Sequence, residues 1–198
     1  MMDITLICLG DSLTYGYGVR RSLVWPTLAA KESGVRILNR GVNGLLTGGM
    51  LASFSRDVIT QKPGAVLLMG GANDIMTGLK PEEPLKNMVD MTKQAENAGI
   101  VPLVGIPIPF CPPIREDWAE ATDFPALSPV YETYAANLRT LAMEHSCVIV
   151  DFRNAMTEHI QKTGFTPQSL YLDGIHLNED GHRLFAQTLV RVIREYLA

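Results

Sequence analysis

Short, almost wholly apolar runs alternate along the chain with longer stretches whose apolar residues recur at helical spacing. The runs at 4–9 (ITLICL), 35–39 (VRILN), 65–70 (AVLLMG), 100–106 (IVPLVGI) and 147–151 (CVIVD) predict five short strands. Between them, 22–33, a segment around 51–60, 83–98 and 129–145 read as helices. Pro26 is tolerable only near the first turn of its helix. The final stretch, 179–197, places Leu184, Phe185, Leu189, Val190 and Ile193 on one face, which predicts a terminal helix with one buried side. Strands that are apolar throughout and separated by helices imply a parallel sheet covered on both faces, an α/β fold.

One stretch breaks the alternation. Residues 107–129, PIPFCPPIREDWAEATDFPALSP, carry four prolines by position 113, which discourages regular structure, and add Phe110, Ile114, Trp118 and Phe124 as apolar surface. It follows the carboxyl end of a strand, where open α/β sheets bind ligands. It is therefore either a plain surface loop or a wall over a substrate site. No repeat, low-complexity tract or linker divides the chain, so residues 1–198 are expected to form a single domain.

Composition narrows the function classes. At 198 residues, with 46% hydrophobic and 19% charged positions, the chain can bury a sizeable core. A formal net charge of -4 gives no general footprint for nucleic acid. Cys8 and Cys147 lie in apolar runs and read as small core residues, while Cys111 is placed for exposure in the proline-rich stretch. The N-terminal MMDITLICLGDS has no basic segment of the signal-peptide kind, and no apolar run approaches membrane-spanning length. The expectation is a cytoplasmic protein with no integral membrane association and no nucleic-acid partner. Its oligomeric state is not legible, because helices that cover a sheet look alike in monomers and dimers.

Candidate chemistry sits where strands end. Ser12 follows the first strand, in GDS. A serine hydroxyl becomes a nucleophile only when a base takes its proton and donors receive the developing oxyanion; alone, Ser12 reads first as a turn or cap residue. In YLDGIHLNEDGH, 171–182, two residues separate Asp173 from His176, so a tight turn can aim both one way, His176 as base and Asp173 orienting it. The alternative is a capped turn with a structural histidine. His182 reads as packing or surface, and His145 and His159 have no better case. Gly44, in RGVNG, lacks a side chain, so its backbone N–H can approach a substrate closely; Asn73, in GGAND, can offer a carboxamide N–H, and the Ser12 backbone N–H is a third donor. Each has a plain turn reading as well.

Taken together, these blocks resemble the SGNH hydrolase family, the GDSL-type esterases and lipases. The first block is matched by Gly10-Asp11-Ser12-Leu13, the glycine block by Gly44, the third by Gly71 and Asn73 in GAND, and the last by Asp173-Gly174-Ile175-His176, in the family's order and across nearly the whole chain. The resemblance implies a three-layer α/β/α sandwich on a five-stranded parallel sheet, the flavodoxin-like SGNH fold. It implies Ser12 as nucleophile, His176 as base and Asp173 as its partner, with an oxyanion hole from the backbone N–H groups of Ser12 and Gly44 and the side chain of Asn73. Asp11 then braces the nucleophile turn and Gly71 permits the geometry of the Asn73 loop. No cofactor and no metal is required.

The implied reaction is hydrolysis of a carboxylic ester through an acyl-serine, with a small acyl ester as the expected substrate and a long-chain lysophospholipid or acyl thioester as the alternative. Asp11, Asp74, Asp173 and His176 lack a compact zinc signature, and neither a Walker motif nor GxGxxG follows the first strand. A non-catalytic carbohydrate- or lipid-binding module is the reading from a different class.

Overall fold

The computed structural model describes residues 4–197; the first three residues of the N-terminal stretch and the last of the chain lie outside them. Five strands, β1 (Thr5–Gly10), β2 (Arg36–Gly41), β3 (Ala65–Met69), β4 (Val101–Ile106) and β5 (Val148–Asp151), form one sheet in the order β2-β1-β3-β4-β5. Every pairing is parallel. The chain order reverses between β1 and β3, so the crevice at their carboxyl ends is the topological switch point where folds of this kind bind ligands.

Alternation along the central strands divides the core into two layers. Leu6, Cys8, Leu67, Met69 and Leu103 face one side, packed with Trp25, Phe152, Phe185 and Leu189. Ile7, Leu9, Val66, Leu68 and Val104 face the other, packed with Met50, Phe54, Met88, Tyr134 and Leu138. The first layer is covered by α2 (Trp25–Ser33), α8 (Phe152–Thr163) and α9 (Glu179–Tyr196), the second by α3 (Thr47–Asp57), α5 (Glu82–Asn97) and α7 (Phe124–Glu144). This is the three-layer α/β/α arrangement expected. The edge strand β2 is only partly buried and carries Arg36 and Arg40, charges that discourage edge-to-edge pairing. Short helices α1 (Ser12–Tyr15), α4 (Ala72–Met76) and α6 (Glu116–Ala121) lie close to the carboxyl ends of the strands. Among the described residues no helix is long and apolar enough to cross a membrane.

Several boundaries differ from the sequence reading, each for a local reason. The helix expected around 51–60 begins at Thr47, because Gly48 and Gly49, poor helix formers, are accommodated in its first turn, and it ends at Asp57 before a 3-10 turn. The helix expected at 129–145 begins at Phe124: the Asp123 carboxylate caps it by accepting from the Ala126 N–H at 3.2 Å, Pro125 occupies the first turn, and Pro129 lies inside. The stretch 107–129 thus contains α6 and the start of α7 and is not a continuous loop. Helix α8 has no counterpart in the sequence reading. It starts at the residue after the one where β5 stops, and the Asp151 carboxylate caps it through the Asn154 N–H at 2.9 Å, leaving no loop to mark the change. Cys111, placed for exposure by its loop, is buried, while Cys8 is buried as read and Cys147 half-buried.

Candidate active site

Strand β1 ends at Gly10, and the next residue turns the chain. The buried Asp11 carboxylate accepts from the Leu13 N–H at 2.9 Å and so caps α1, placing Ser12 in the first turn of that helix at the switch point. Burial pushes the Asp11 carboxyl up to about 6, against the lowering effect of the Leu13 N–H.

On the other side of the crevice, residues 171–177 form a turn closed by an isolated bridge between Tyr171 and Leu177. Within it, Asp173 Oδ1 accepts from the backbone N–H groups of Ile175 and His176 at 3.0 and 2.8 Å, which fixes the turn. Asp173 Oδ2 lies 2.9 Å from His176 Nδ1, and His176 Nε2 lies 3.0 Å from Ser12 Oγ. Burial acts to raise the Asp173 carboxyl, but the hydrogen bonds from the His176 side chain, the His176 backbone and the Ile175 backbone outweigh it and hold the group well below the ordinary carboxylate range. The structure therefore brings Ser12, His176 and Asp173 into one hydrogen-bonded line from residues 164 positions apart.

The three expected donors converge on the same crevice. Gly44 and Asn73 line a cavity of about 130 Å3 together with Ser12 and His176. Among the described residues, the backbone N–H groups of Ser12 and Gly44 donate to no other group. Asn73 Nδ2 donates one hydrogen to the Leu45 carbonyl at 3.2 Å, which ties the Asn73 side chain to the loop that carries Gly44 and leaves its second N–H for another acceptor. Gly71, ahead of it, has φ +104 and a Cβ there would sit 2.4 Å from the Tyr134 ring, so only glycine fits this approach to α4.

Behind these donors stands a buried network absent from the sequence reading. Asp74 turns away from the cavity and accepts from the Thr47 N–H at 3.0 Å and the Thr47 hydroxyl at 2.6 Å, while Asn87 Nδ2 donates to that hydroxyl at 3.0 Å. The network locks the start of α3 onto α4 and so fixes the spacing between the loop of Gly44 and Asn73. Asp74 and Asp11 are both committed to backbone groups of their own neighbourhood, which separates them from the Asp173–His176 pair.

The cavity walls are largely apolar: Leu13, Ala72, Met76, Ile108, Phe110 and Ile175. Tyr17 and Trp118 close it around the histidine, with the Tyr17 ring 4.4 Å and the Trp118 ring 5.8 Å from the imidazole, centre to centre. Trp118 is one of the apolar residues that the sequence offers on the candidate wall at 107–129; Tyr17 has no such reading, although it lies within five residues of Ser12, close enough for a short helix and turn to bring it back. Beyond Phe110, a wider groove of about 750 Å3 runs between the 110–114 stretch, α6 and the start of α7. Residues 107–129 are a wall of the site as well as a surface segment. His182, buried in α9, accepts from the Trp25 N–H at Nδ1 (3.2 Å); burial pushes it down to about 4, and it packs and does not line the cavity.

Comparison with known proteins agrees with the fold. The model of the GDSL-like lipase/acylhydrolase family matches residues 8–184. Esterase TesA of Pseudomonas aeruginosa is 30% identical over 111 residues, 53% of this chain and 55% of that protein. An acetylxylan esterase of Geobacillus stearothermophilus is 27% identical over 170 residues, covering 82% of this chain and 74% of the other. The thioesterase 1/protease 1/lysophospholipase L1 of Escherichia coli K12 is 25% identical over 195 residues, 96% of this chain and 83% of its own length. The chain thus matches little more than half the length of the Pseudomonas relative. Among solved structures, a lipolytic G-D-S-L protein from Veillonella parvula superposes with a TM-score of 0.80 at 25% identity, over 96% of this chain and 98% of that one.

Proposed function

The chain belongs to the GDSL-like lipase/acylhydrolase family of ester hydrolases, and we propose that it cleaves small carboxylic esters through an acyl-serine intermediate on Ser12. His176 takes the Ser12 proton as Oγ attacks the ester carbonyl, and Asp173 keeps the imidazole oriented and offsets its charge. The backbone N–H groups of Ser12 and Gly44 and the free carboxamide N–H of Asn73 receive the oxyanion. Protonated His176 then delivers its proton to the departing alcohol, and a water activated by the same imidazole releases the acid.

The observation that carries this reading is the unbroken line Ser12 Oγ–His176 Nε2 at 3.0 Å and His176 Nδ1–Asp173 Oδ2 at 2.9 Å, opening on a cavity lined by unused donors. The acyl size follows from that cavity. At about 130 Å3 it is well below the roughly 300 Å3 at which pockets for larger ligands begin, which favours a short acyl group. The groove beyond Phe110 favours a second reading, a long acyl chain of a lysolipid or thioester that passes Phe110 and lies on Ile114, Ala119 and Phe124.

The test is kcat/KM for p-nitrophenyl esters from acetyl to palmitoyl, with Ser12→Ala as control. A maximum between acetyl and butyryl that vanishes in the variant supports the small-ester reading. Rates that climb with chain length select the second, and activity kept by Ser12→Ala overturns both.

A further inference from the structure

The stretch from Cys111 to Trp118 is joined to the turn that carries Asp173 and His176 at three points. The Cys111 N–H donates to the Gly174 carbonyl at 2.8 Å, the Arg115 N–H to the Asp173 carbonyl at 3.0 Å, and the Trp118 indole N–H to Asp173 Oδ2 at 3.1 Å. The contact is close enough to dictate a residue. At Gly174, φ is +86, and a Cβ would meet the Cys111 carbonyl at 2.7 Å, the Pro113 carbonyl at 2.8 Å and the Ile114 Cα at 2.9 Å.

Trp118 is the member of this junction that reaches the reacting groups' own hydrogen bonds. Its N–H shares Asp173 Oδ2 with His176 Nδ1, so the two donors compete for and jointly orient one carboxylate oxygen. The Arg115 guanidinium, 3.7 Å from the same oxygen and engaged mainly by Asp117, adds positive charge behind it. Trp118 also lines the cavity, with its ring beside those of Tyr17 and His176. Yet α6, which carries Trp118, has no buried residue, so the ring is not a keystone of the core.

We propose that Trp118 is a positioning residue: its indole N–H pins the Asp173 carboxylate in the orientation His176 needs, while its ring walls the cavity, so that docking of the 107–121 segment and alignment of the histidine are one event. A carboxylate with a second fixed donor has fewer orientations, and the imidazole it holds stays aimed at Ser12. The inference rests on Ser12, His176 and Asp173 acting as described above.

The test measures kcat and KM on p-nitrophenyl acetate for the wild type, Ser12→Ala, Trp118→Phe, Asp173→Ala and the Trp118→Phe/Asp173→Ala double variant, each checked by thermal unfolding. Loss of a hydrogen bond to a charged group predicts that Trp118→Phe lowers kcat about tenfold. KM should move by less than about twofold, because an aromatic wall remains, and the effect should fall below about twofold once the Asp173 carboxylate is gone. Trp118→Leu, which also lacks the donor, serves in its place if the phenylalanine variant does not fold. Wild-type kcat in Trp118→Phe, or the same loss with and without the Asp173 carboxylate, overturns the positioning role while Ser12→Ala remains inactive. Activity in Ser12→Ala instead overturns the serine reading itself.

Discussion

The two sides of the crevice are built differently. Ser12, Gly44 and Asn73 follow the ends of β1, β2 and β3, strands that pair in register, and the buried Asp74–Thr47–Asn87 network ties the loops together behind them. Asp173, His176 and Trp118 lie many residues beyond any strand end; they are held by hydrogen bonds between the 111–118 stretch and the 171–177 turn. The proposed nucleophile and oxyanion donors are thus anchored at the ends of sheet strands, where position is least adjustable, whereas the proposed base and the indole beside it sit on segments docked to one another.

Predictions that would break this division begin on the sheet side. Asn73→Ala removes one oxyanion donor, and from another serine hydrolase the loss is roughly 3–4 kcal/mol of transition-state stabilisation, so kcat should fall by about 10²–10³ while the fold survives. An unchanged kcat with far-UV circular dichroism intact removes Asn73 from the hole.

Next in size is the electrostatic strain beneath Ser12. Asp11 is displaced from an ordinary value of 3.8 to about 6, so its contribution to stability declines as pH rises from about 4 to about 6, by roughly 3 kcal/mol in all. His182 is displaced from 6.5 to about 4, and its contribution declines as pH falls through that window, by a similar amount. The two slopes oppose each other in the native chain. Asp11→Asn keeps an oxygen for the Leu13 N–H and removes one slope, so urea unfolding between pH 4 and 6.5 should show stability that rises with pH. The same pH dependence as wild type would show that Asp11 carries no such strain.

Thr47→Val tests the brace behind the donors. It deprives the buried Asp74 of its 2.6 Å hydroxyl partner, at a cost of about 1–3 kcal/mol of unfolding free energy in urea, and lowers kcat through the misplaced loop of Gly44. Full stability with full turnover would mean that the spacing of the donors does not depend on that network. The smallest effect sharpens the other side: Phe110→Ala joins the small cavity to the groove and should move the kcat/KM optimum toward longer acyl chains by a few carbons, an outcome read directly from the ester series. No movement would separate the groove from substrate choice.

Sequence reading was most informative where structure is local and periodic. Five apolar runs gave the five strands: in the central β1, β3 and β4 nearly every position is buried, and the edge strands β2 and β5 keep apolar residues that are partly buried. The ordered blocks placed Ser12, Gly44, Asn73, Asp173 and His176 at strand ends and in one turn, and the structure gathers them around one cavity. What was not legible was created by meetings between distant segments. Nothing near Trp118 signals a partner 55 positions away, and nothing near Asp74 points to Thr47 and Asn87. Helix α8 escaped because Asp151 ends a strand and caps a helix at once, and the start of α7 escaped because Pro125 is tolerated in its first turn and the helix runs on through Pro129.

The most direct test of the central claim is mass spectrometry of the protein after treatment with a serine-reactive fluorophosphonate. The account predicts one adduct per chain, on the peptide that contains Ser12, formed in step with loss of esterase activity, strongly slowed in His176→Ala and absent in Ser12→Ala. An adduct on another residue, or loss of activity with no label on Ser12, would contradict it.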